Sequence, residues 1–263
     1  MATFELTPEQ ESLRAAVARL GSTYGHRYYV EKAKSGGHTT ELWAEAGKLG
    51  YLGVNVPAEH GGGGGGITEL AIVCEELAAA GCPLLLLVVS PAIVATIVAK
   101  HGTESQRNEL LPRFADGSLK VVFAITEPDA GSNAHRLATT ARRDGDDWLI
   151  SGRKCFISGV DEAPMMLVVA RTDDSLGLFL VPTDAPGLVK TQIDMEITSP
   201  ENQWLLYLDD VRVPGDALIG DGLPALFSGL NPERITVAAM SVGTGRYALS
   251  RAAAYTSQRS VWG

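Results

Sequence analysis

Cysteine is scarce in this 263-residue chain: Cys74, Cys82 and Cys155 stand alone, with no C-x-x-C spacing. So sparse and odd a count excludes a disulfide framework and indicates reduced thiols, hence a cytoplasmic protein. Histidine is also scarce, five in all, scattered without an H-x-x-x-H or His/Cys grouping, so no metal site is expected. Basic charge is in deficit, 22 Lys and Arg against 31 Asp and Glu, for a net charge of −9. Neutralising a phosphate backbone needs a basic face, so nucleic acid is excluded as a partner. The opening "MATFELTPEQ" has neither a basic n-region nor an apolar core, so no signal peptide is read there. The one long apolar run, "CPLLLLVVSPAIVATIVAK" (82–100), is at the short edge of a membrane span and is interrupted by Ser90-Pro91. It is expected to be a buried core helix, or two short elements broken at Pro91, rather than a span.

What is present in excess is glycine. "HGGGGGGI" follows an apolar "YLGVNV" and precedes a helix-like "ITELAIVCEELAAA", the context of a dinucleotide-binding G-x-G-x-x-G loop. Six glycines match that pattern trivially. The acidic residue a Rossmann unit needs about 20 positions on is missing from "LLLLVVSP", and no βαβ alternation follows. The run is therefore read as an interhelical loop, mobile and on the surface.

Residues 1–118 read as helical. "LTPEQESLRAAVARL" carries Thr7 as N-cap, Pro8 in the first turn and Gln10 at capping-box spacing, with Leu13, Val17 and Leu20 at helical period. From Lys120 the texture changes to short runs rich in Val, Ile, Phe, Trp and Thr, separated by turns such as "RDGDD" and "TDAPG", which suggests an antiparallel sandwich or barrel. At Asn231 a long Ala-rich helix begins, with Asn231 as N-cap and Pro232 at the first helical position. The fold class is α+β: a helical domain (1–118), a β domain (119–226) and one helix of a further domain (227–263).

Chemistry concentrates in "FAITEPDAGSNAHRLATTARRDGDDWLISGRKCFISG" (123–159). Within it Gly131 lets backbone approach a ligand, and successive N–H groups beside the Ser132 hydroxyl can cradle a pyrophosphate. Here the sequence resembles the acyl-CoA dehydrogenase family. "ITEPDAGSN" is similar to that family's T-E-P-x-A-G-S-D motif, and "GDDWLISGRKCFISG" to its G-x-x-x-x-x-x-G-x-K-x-W-I-T-N-G motif. "PAEHGGGGGGITELAIVCEELA", "YLDDVRVPGDALIG" and "YTSQRSVWG" resemble further family segments in the family's order, so the likeness covers essentially the whole chain.

The resemblance implies an α-helical N-terminal domain, a β-barrel middle domain and a C-terminal helical bundle, in a homotetramer. It implies FAD, an acyl-CoA substrate, and an electron-transfer flavoprotein or similar acceptor. Carried over by motif, Phe123, Ile125 and Thr126 line the flavin. Gly131 and Ser132 meet the FAD pyrophosphate or the substrate's pantetheine arm. Phe156 lies behind the isoalloxazine, Ser158 near its N5 edge, and Arg259 reaches the pyrophosphate of a neighbouring subunit's FAD. Phe156, Ser158 and Asn133 depart from the family's usual Trp, Thr and Asp. The family abstracts the α proton with a carboxylate while flavin N5 takes the β hydride. "GLNPERITVAA" resembles the segment that supplies the base in one branch of the family, with Glu233 as base and Asn231 and Arg234 beside the substrate. In the other branch the base lies in a late loop, beyond residue 263. As a bare pattern, Glu233 is equally an acid near a helix N-terminus, favoured by the helix dipole. Two other readings stand beside the dehydrogenase: a flavin monooxygenase of the same fold, and a non-catalytic or truncated subunit completed by a partner chain.

Overall fold

The computed structural model describes residues 5–262. The first helix, α1 (Pro8–Ser35), starts at the expected capping box: Gln10 N–H donates to Thr7 Oγ1 (3.3 Å) and Thr7 N–H to Gln10 Oε1 (3.0 Å). It kinks at Gly25, whose φ of 69° no helical residue adopts. α2 (Thr40–Lys48) and α3 (Ile67–Ala79) follow, the latter burying Leu70, Val73, Cys74 and Leu77 on one face.

The glycine run between α2 and α3 is neither a phosphate loop nor a loose segment. Gly63 donates its N–H to Gly53 O (2.8 Å), Gly64 to Val56 O (2.9 Å) and Gly65 to Val54 O (2.9 Å), while Gly66 N–H goes to Glu69 Oε2 (2.7 Å). These donors are consumed by the chain itself. A Cβ on Gly62 would stand 2.6 Å from the Val56 carbonyl carbon, so close approach to the 53–58 turns is what requires glycine here. The loop lies on the surface as expected, with its N–H groups hydrogen-bonded to the chain, and Tyr51–Gly53 form a 3₁₀ turn.

The apolar run is one continuous helical path: α4 (Leu85–Leu87), a π-helical stretch (Val88–Ala95) and α5 (Thr96–His101). Pro91 does not break it. Proline lacks the N–H that an α-helix would use, and the widened π register absorbs that loss. The Pro91 carbonyl is taken by the Asn55 side-chain amide at 3.0 Å. No helix among the described residues is long and apolar enough to cross a membrane. α6 (Glu104–Ala115), opened by a second capping box at Thr103 and Gln106, ends the helical region.

Eight strands follow: β1 (Val121–Ala124), β2 (Thr140–Asp144), β3 (Asp147–Ser158), β4 (Met165–Arg171), β5 (Leu176–Pro182), β6 (Leu188–Ile193), β7 (Gln203–Val213) and β8 (Leu218–Asp221). They form one sheet in the order β6-β7-β3-β2-β4-β5-β8, with β1 against β4. Most pairs are antiparallel, as the short strands and tight turns require. β1 and β2 run parallel to β4, which the turn pattern did not signal.

The final helix, α7 (Gly222–Gln258), begins ten residues before Pro232, the expected first helical position. Asn231 and Pro232 are therefore inside the helix and not at its N-cap, which is Asp221. Tertiary burial of Ala225, Leu226 and Gly229 keeps the upstream turns helical in spite of Pro232. α7 lies on the helical region through two glycines. A Cβ on Gly229 would sit 2.7 Å from Ile97 Cδ1, and one on Gly243 2.8 Å from Ala78 Cβ. Arg246 locks the contact with ion pairs to Glu75 and Glu76, both 2.6 Å.

Candidate functional site

The end of β1 and the middle of β3 are stitched together. Cys155 N–H donates to Thr126 O (2.9 Å), and the Lys154 ammonium to Ile125 O (3.0 Å). This brings Ile125 and Thr126, both half-buried, beside Phe156 and Ser158. Phe123, in contrast, is buried among Leu167, Val169 and Leu178, so its ring belongs to the core.

Phe156 occupies a bulge in β3, where the register against β7 shifts between Lys154 and Ile157. Its φ is +56°, a left-handed conformation that costs an ordinary side chain roughly 1–2 kcal/mol. The strain turns a large ring outward, 59% exposed, from a strand whose neighbouring residues are buried. An exposed aromatic face held in this way is able to stack on a planar partner.

The loop after β1 supplies a second recognition element. Glu127 and Ala130 bond each other's backbone, so the chain turns sharply before Gly131. Among the described residues, the N–H groups of Gly131 and Ser132 meet no protein acceptor, and a Cβ on Gly131 would find open space. Free successive N–H groups with a serine hydroxyl suit an anion such as a pyrophosphate. The exposed ring at 156 and the free N–H row at 131–132 together fit a flavin dinucleotide.

Both elements are anchored on one ion pair that the sequence reading passed over. Lys154 Nζ donates to Glu127 Oε1 at 2.8 Å, with lysine and glutamate 0% and 6% exposed. Glu127 also accepts the N–H groups of Ala138 (2.6 Å) and Thr139 (3.0 Å), so the loop leaves and returns on the same carboxylate. Burial opposes charge on Glu127, but these donors outweigh it and hold its carboxyl below the ordinary value. Burial pushes Lys154 down to about 8. The signal was present: alternation from Trp148 and Ile150 puts position 154 on the inward face, where a lysine must have a partner.

Ser158 exchanges hydrogen bonds with its cross-strand partner Gln203: Ser158 Oγ–H to Gln203 Oε1 at 3.1 Å, and Gln203 Nε2–H to Ser158 Oγ at 2.8 Å. Gln203 borders a cavity of about 510 Å³, also lined by Lys34, Leu85, Ser199 and Glu201. Burial raises the Glu201 carboxyl, although it accepts the Ser199 hydroxyl (2.5 Å) and the Leu85 N–H (3.2 Å) at the start of α4. No sequence signal marked Gln203, because its partner is 45 residues away.

Glu233 is in the body of α7, where the helix dipole has no terminus to act from. One turn after Gly229 and three residues before the buried Thr236, it shares the face that meets Ile93 and Ile97. It is half-buried, and among the described residues its carboxylate has no hydrogen-bond or ion-pair partner. Burial raises its carboxyl, with Arg234 opposing. Asn231 and Arg234 are exposed and bonded to each other, Arg234 Nη1 donating to Asn231 Oδ1 at 2.9 Å. Arg259, exposed just past the C-terminal end of α7, lies over the Tyr255 ring at 5.9 Å.

Comparison with known proteins gives this arrangement its family. The chain matches the models of the acyl-CoA dehydrogenase N-terminal domain (residues 7–118), middle domain (122–211) and C-terminal domain (220–263). It is 57% identical to acyl-CoA dehydrogenase FadE12 of Mycobacterium tuberculosis, over 99% of this chain and 69% of the relative. Among solved structures, a glutaryl-CoA dehydrogenase from Mycobacterium smegmatis in complex with FADH2 superposes with a TM-score of 0.90 at 33% identity, covering 98% of this chain and 67% of that one. A structure described as the electron transferring flavoprotein of Acidaminococcus fermentans contains a chain matching at TM-score 0.92 and 28% identity, over 100% and 72%. Three consecutive domain matches on the same helix–sheet–helix order establish that the chain belongs to the acyl-CoA dehydrogenase family of FAD-dependent oxidoreductases.

Proposed function

We propose that Glu233 is the base of an α,β-dehydrogenation of an acyl-CoA thioester. The observation that carries this reading is the placement of Glu233: half-buried and unpaired, on the α7 face turned toward the apolar π-helical stretch. A base for the α proton must be desolvated enough to hold its proton near working pH, and burial acts on Glu233 in that direction. Gly229, one turn before Glu233, lets α7 pack directly on Ile93 and Ile97, and this apolar contact helps to keep water from the carboxyl. FAD, when bound, supplies the acceptor for the β hydride. Ile125, Thr126 and Phe156 would frame its ring system, Ser158 its N5 edge, and Gly131 and Ser132 its pyrophosphate or the pantetheine arm. Phe123 would act from behind, as core support for that strand.

We further propose a cytoplasmic homotetramer that passes electrons to an electron-transfer flavoprotein, with Arg259 reaching a neighbour's FAD. Three buried free thiols suit a reducing compartment. Exposed Ile235, Val237, Val242 and Leu249 along α7 suit a helix that further protein covers. The test of the central reading is anaerobic addition of acyl-CoA thioesters to the flavin-loaded protein. Bleaching of the flavin by wild type, and none by Glu233→Gln with flavin retained, is the expected result. Equal bleaching by both would overturn the assignment of Glu233.

A further inference from the structure

We infer that Gln203 is a positioning residue that aims the Ser158 hydroxyl at the flavin edge, a task a β-branched residue would perform by itself. This rests on the reading that Ser158 faces the flavin N5 region. Serine has one heavy atom on Cβ and three open χ1 wells, whereas a β-branched side chain is held to few. A serine aimed at a ligand therefore needs something else to hold its oxygen. The structure supplies it across the strand pair. Ser158 and Gln203 are register partners on β3 and β7, the closest relationship two side chains have in a sheet. The Gln203 amide donates to Ser158 Oγ at 2.8 Å, filling a lone pair. Its Oε1 sits 3.1 Å from the same oxygen, the longer of the two contacts and the one the hydroxyl proton can give up for a better acceptor.

Gln203 is itself fixed on both sides. Asn202 donates from Nδ2 to Asp161 Oδ2 (2.7 Å) and accepts from Gln192 Nε2 (3.0 Å); Trp204 Nε1–H donates to Asp161 Oδ1 (3.1 Å). The flanking residues thus pin the β7 backbone to the β3–β4 turn, and the amide of Gln203 is presented from a rigid frame. The arrangement leaves Ser158 with its oxygen located and its proton free to turn toward a nitrogen acceptor. Because Gln203 also borders the cavity of about 510 Å³, its side chain is reached from solvent and can be replaced without opening the core.

The experiment compares FAD dissociation constants and flavin absorption spectra of four variants with wild type. Gln203→Met keeps the shape and removes the amide. It is expected to raise the FAD dissociation constant about fivefold, the range of one hydrogen bond, and to shift the flavin absorption. Ser158→Thr placed on Gln203→Met is expected to restore both to within about twofold of wild type, since the β-branch then holds the rotamer. Gln203→Asn retains polarity but withdraws the amide by one methylene, so it serves if the methionine variant does not fold and is expected to lose as much. Ser158→Ala separates the two readings. If it changes neither spectrum nor affinity, Ser158 is not at the flavin and the underlying reading fails. If it changes both while Gln203→Met and Gln203→Asn change neither, Gln203 has no positioning role. Failure of Ser158→Thr to rescue overturns the proposal as well.

Discussion

Lys154 and Glu127 form an ion pair of 2.8 Å inside the protein, and that one pair holds both the 127–139 loop and the strand that bears Phe156. Removing one partner of such a pair leaves an uncompensated buried charge, which costs about 3–5 kcal/mol. Lys154→Met is expected to lose that much in urea denaturation, and Lys154→Met with Glu127→Gln to lose clearly less. The carboxyl of Glu127 titrates below its ordinary value in the fold, so its contribution is present above about 4.5 and is lost as pH falls through the folded value. The acid limb of the denaturation profile should flatten in Glu127→Gln.

Phe156 holds a left-handed φ of +56°, so Phe156→Gly relieves backbone strain while deleting the exposed ring. The strain relieved and the glycine's added chain entropy are both about 1 kcal/mol and opposite in sign. The flavin-free variant should therefore melt within a few degrees of wild type, yet bind FAD at least tenfold more weakly. A large fall in the melting temperature of the flavin-free form would show that the ring serves the fold instead.

Glu233→Gln should lower the rate of substrate-driven flavin reduction by about 10²–10⁴-fold. In wild type the acidic limb of that rate should lie above the ordinary carboxylate value of 4.5, because burial raises Glu233 and only its ionised form accepts a proton. The raised value also means that the fold binds this proton more tightly than the unfolded chain does. Stability from this group therefore falls as pH rises from 4.5 through the folded value. The glutamine variant should accordingly melt no lower than wild type at pH 7.

Gly243→Ala sets two effects against each other. Alanine favours a helix over glycine by about 1 kcal/mol. Here its Cβ would press on the Glu75 carbonyl and stand 2.8 Å from Ala78 Cβ, so α7 must lift from α3. The clash involves backbone and should win, with a net loss of about 1–3 kcal/mol and faster hydrogen exchange along α7.

The glycine run makes the opposite case to flexibility. The N–H groups of Gly63, Gly64 and Gly65 are bonded to Gly53, Val56 and Val54 and should exchange slowly with solvent. Exchange as fast as in an unstructured peptide would contradict the bonding described.

What could be read from the chain was local or periodic. The capping box at Thr7 and Gln10, the helix–strand–helix order, and the inward parity of position 154 each depend on neighbours within a few residues. The motifs at 125–133 and 155–158 carried the family because each is a short contiguous stretch, legible without any tertiary contact. Asn231 and Pro232 misled because a good local start signal was overruled by burial of Ala225, Leu226 and Gly229 against distant helices. The glycines misled because their partners are carbonyls in the 53–58 turns, chosen by packing rather than by pattern. The pairing of Ser158 with Gln203, the shared anchor of Glu127 and Lys154, and the desolvation of Glu233 all join residues from separate segments. Sequence set the types of residue and the turns of chain available. Only the tertiary structure decided which groups met without water, because burial and hydrogen-bond pairing are properties of the packed whole.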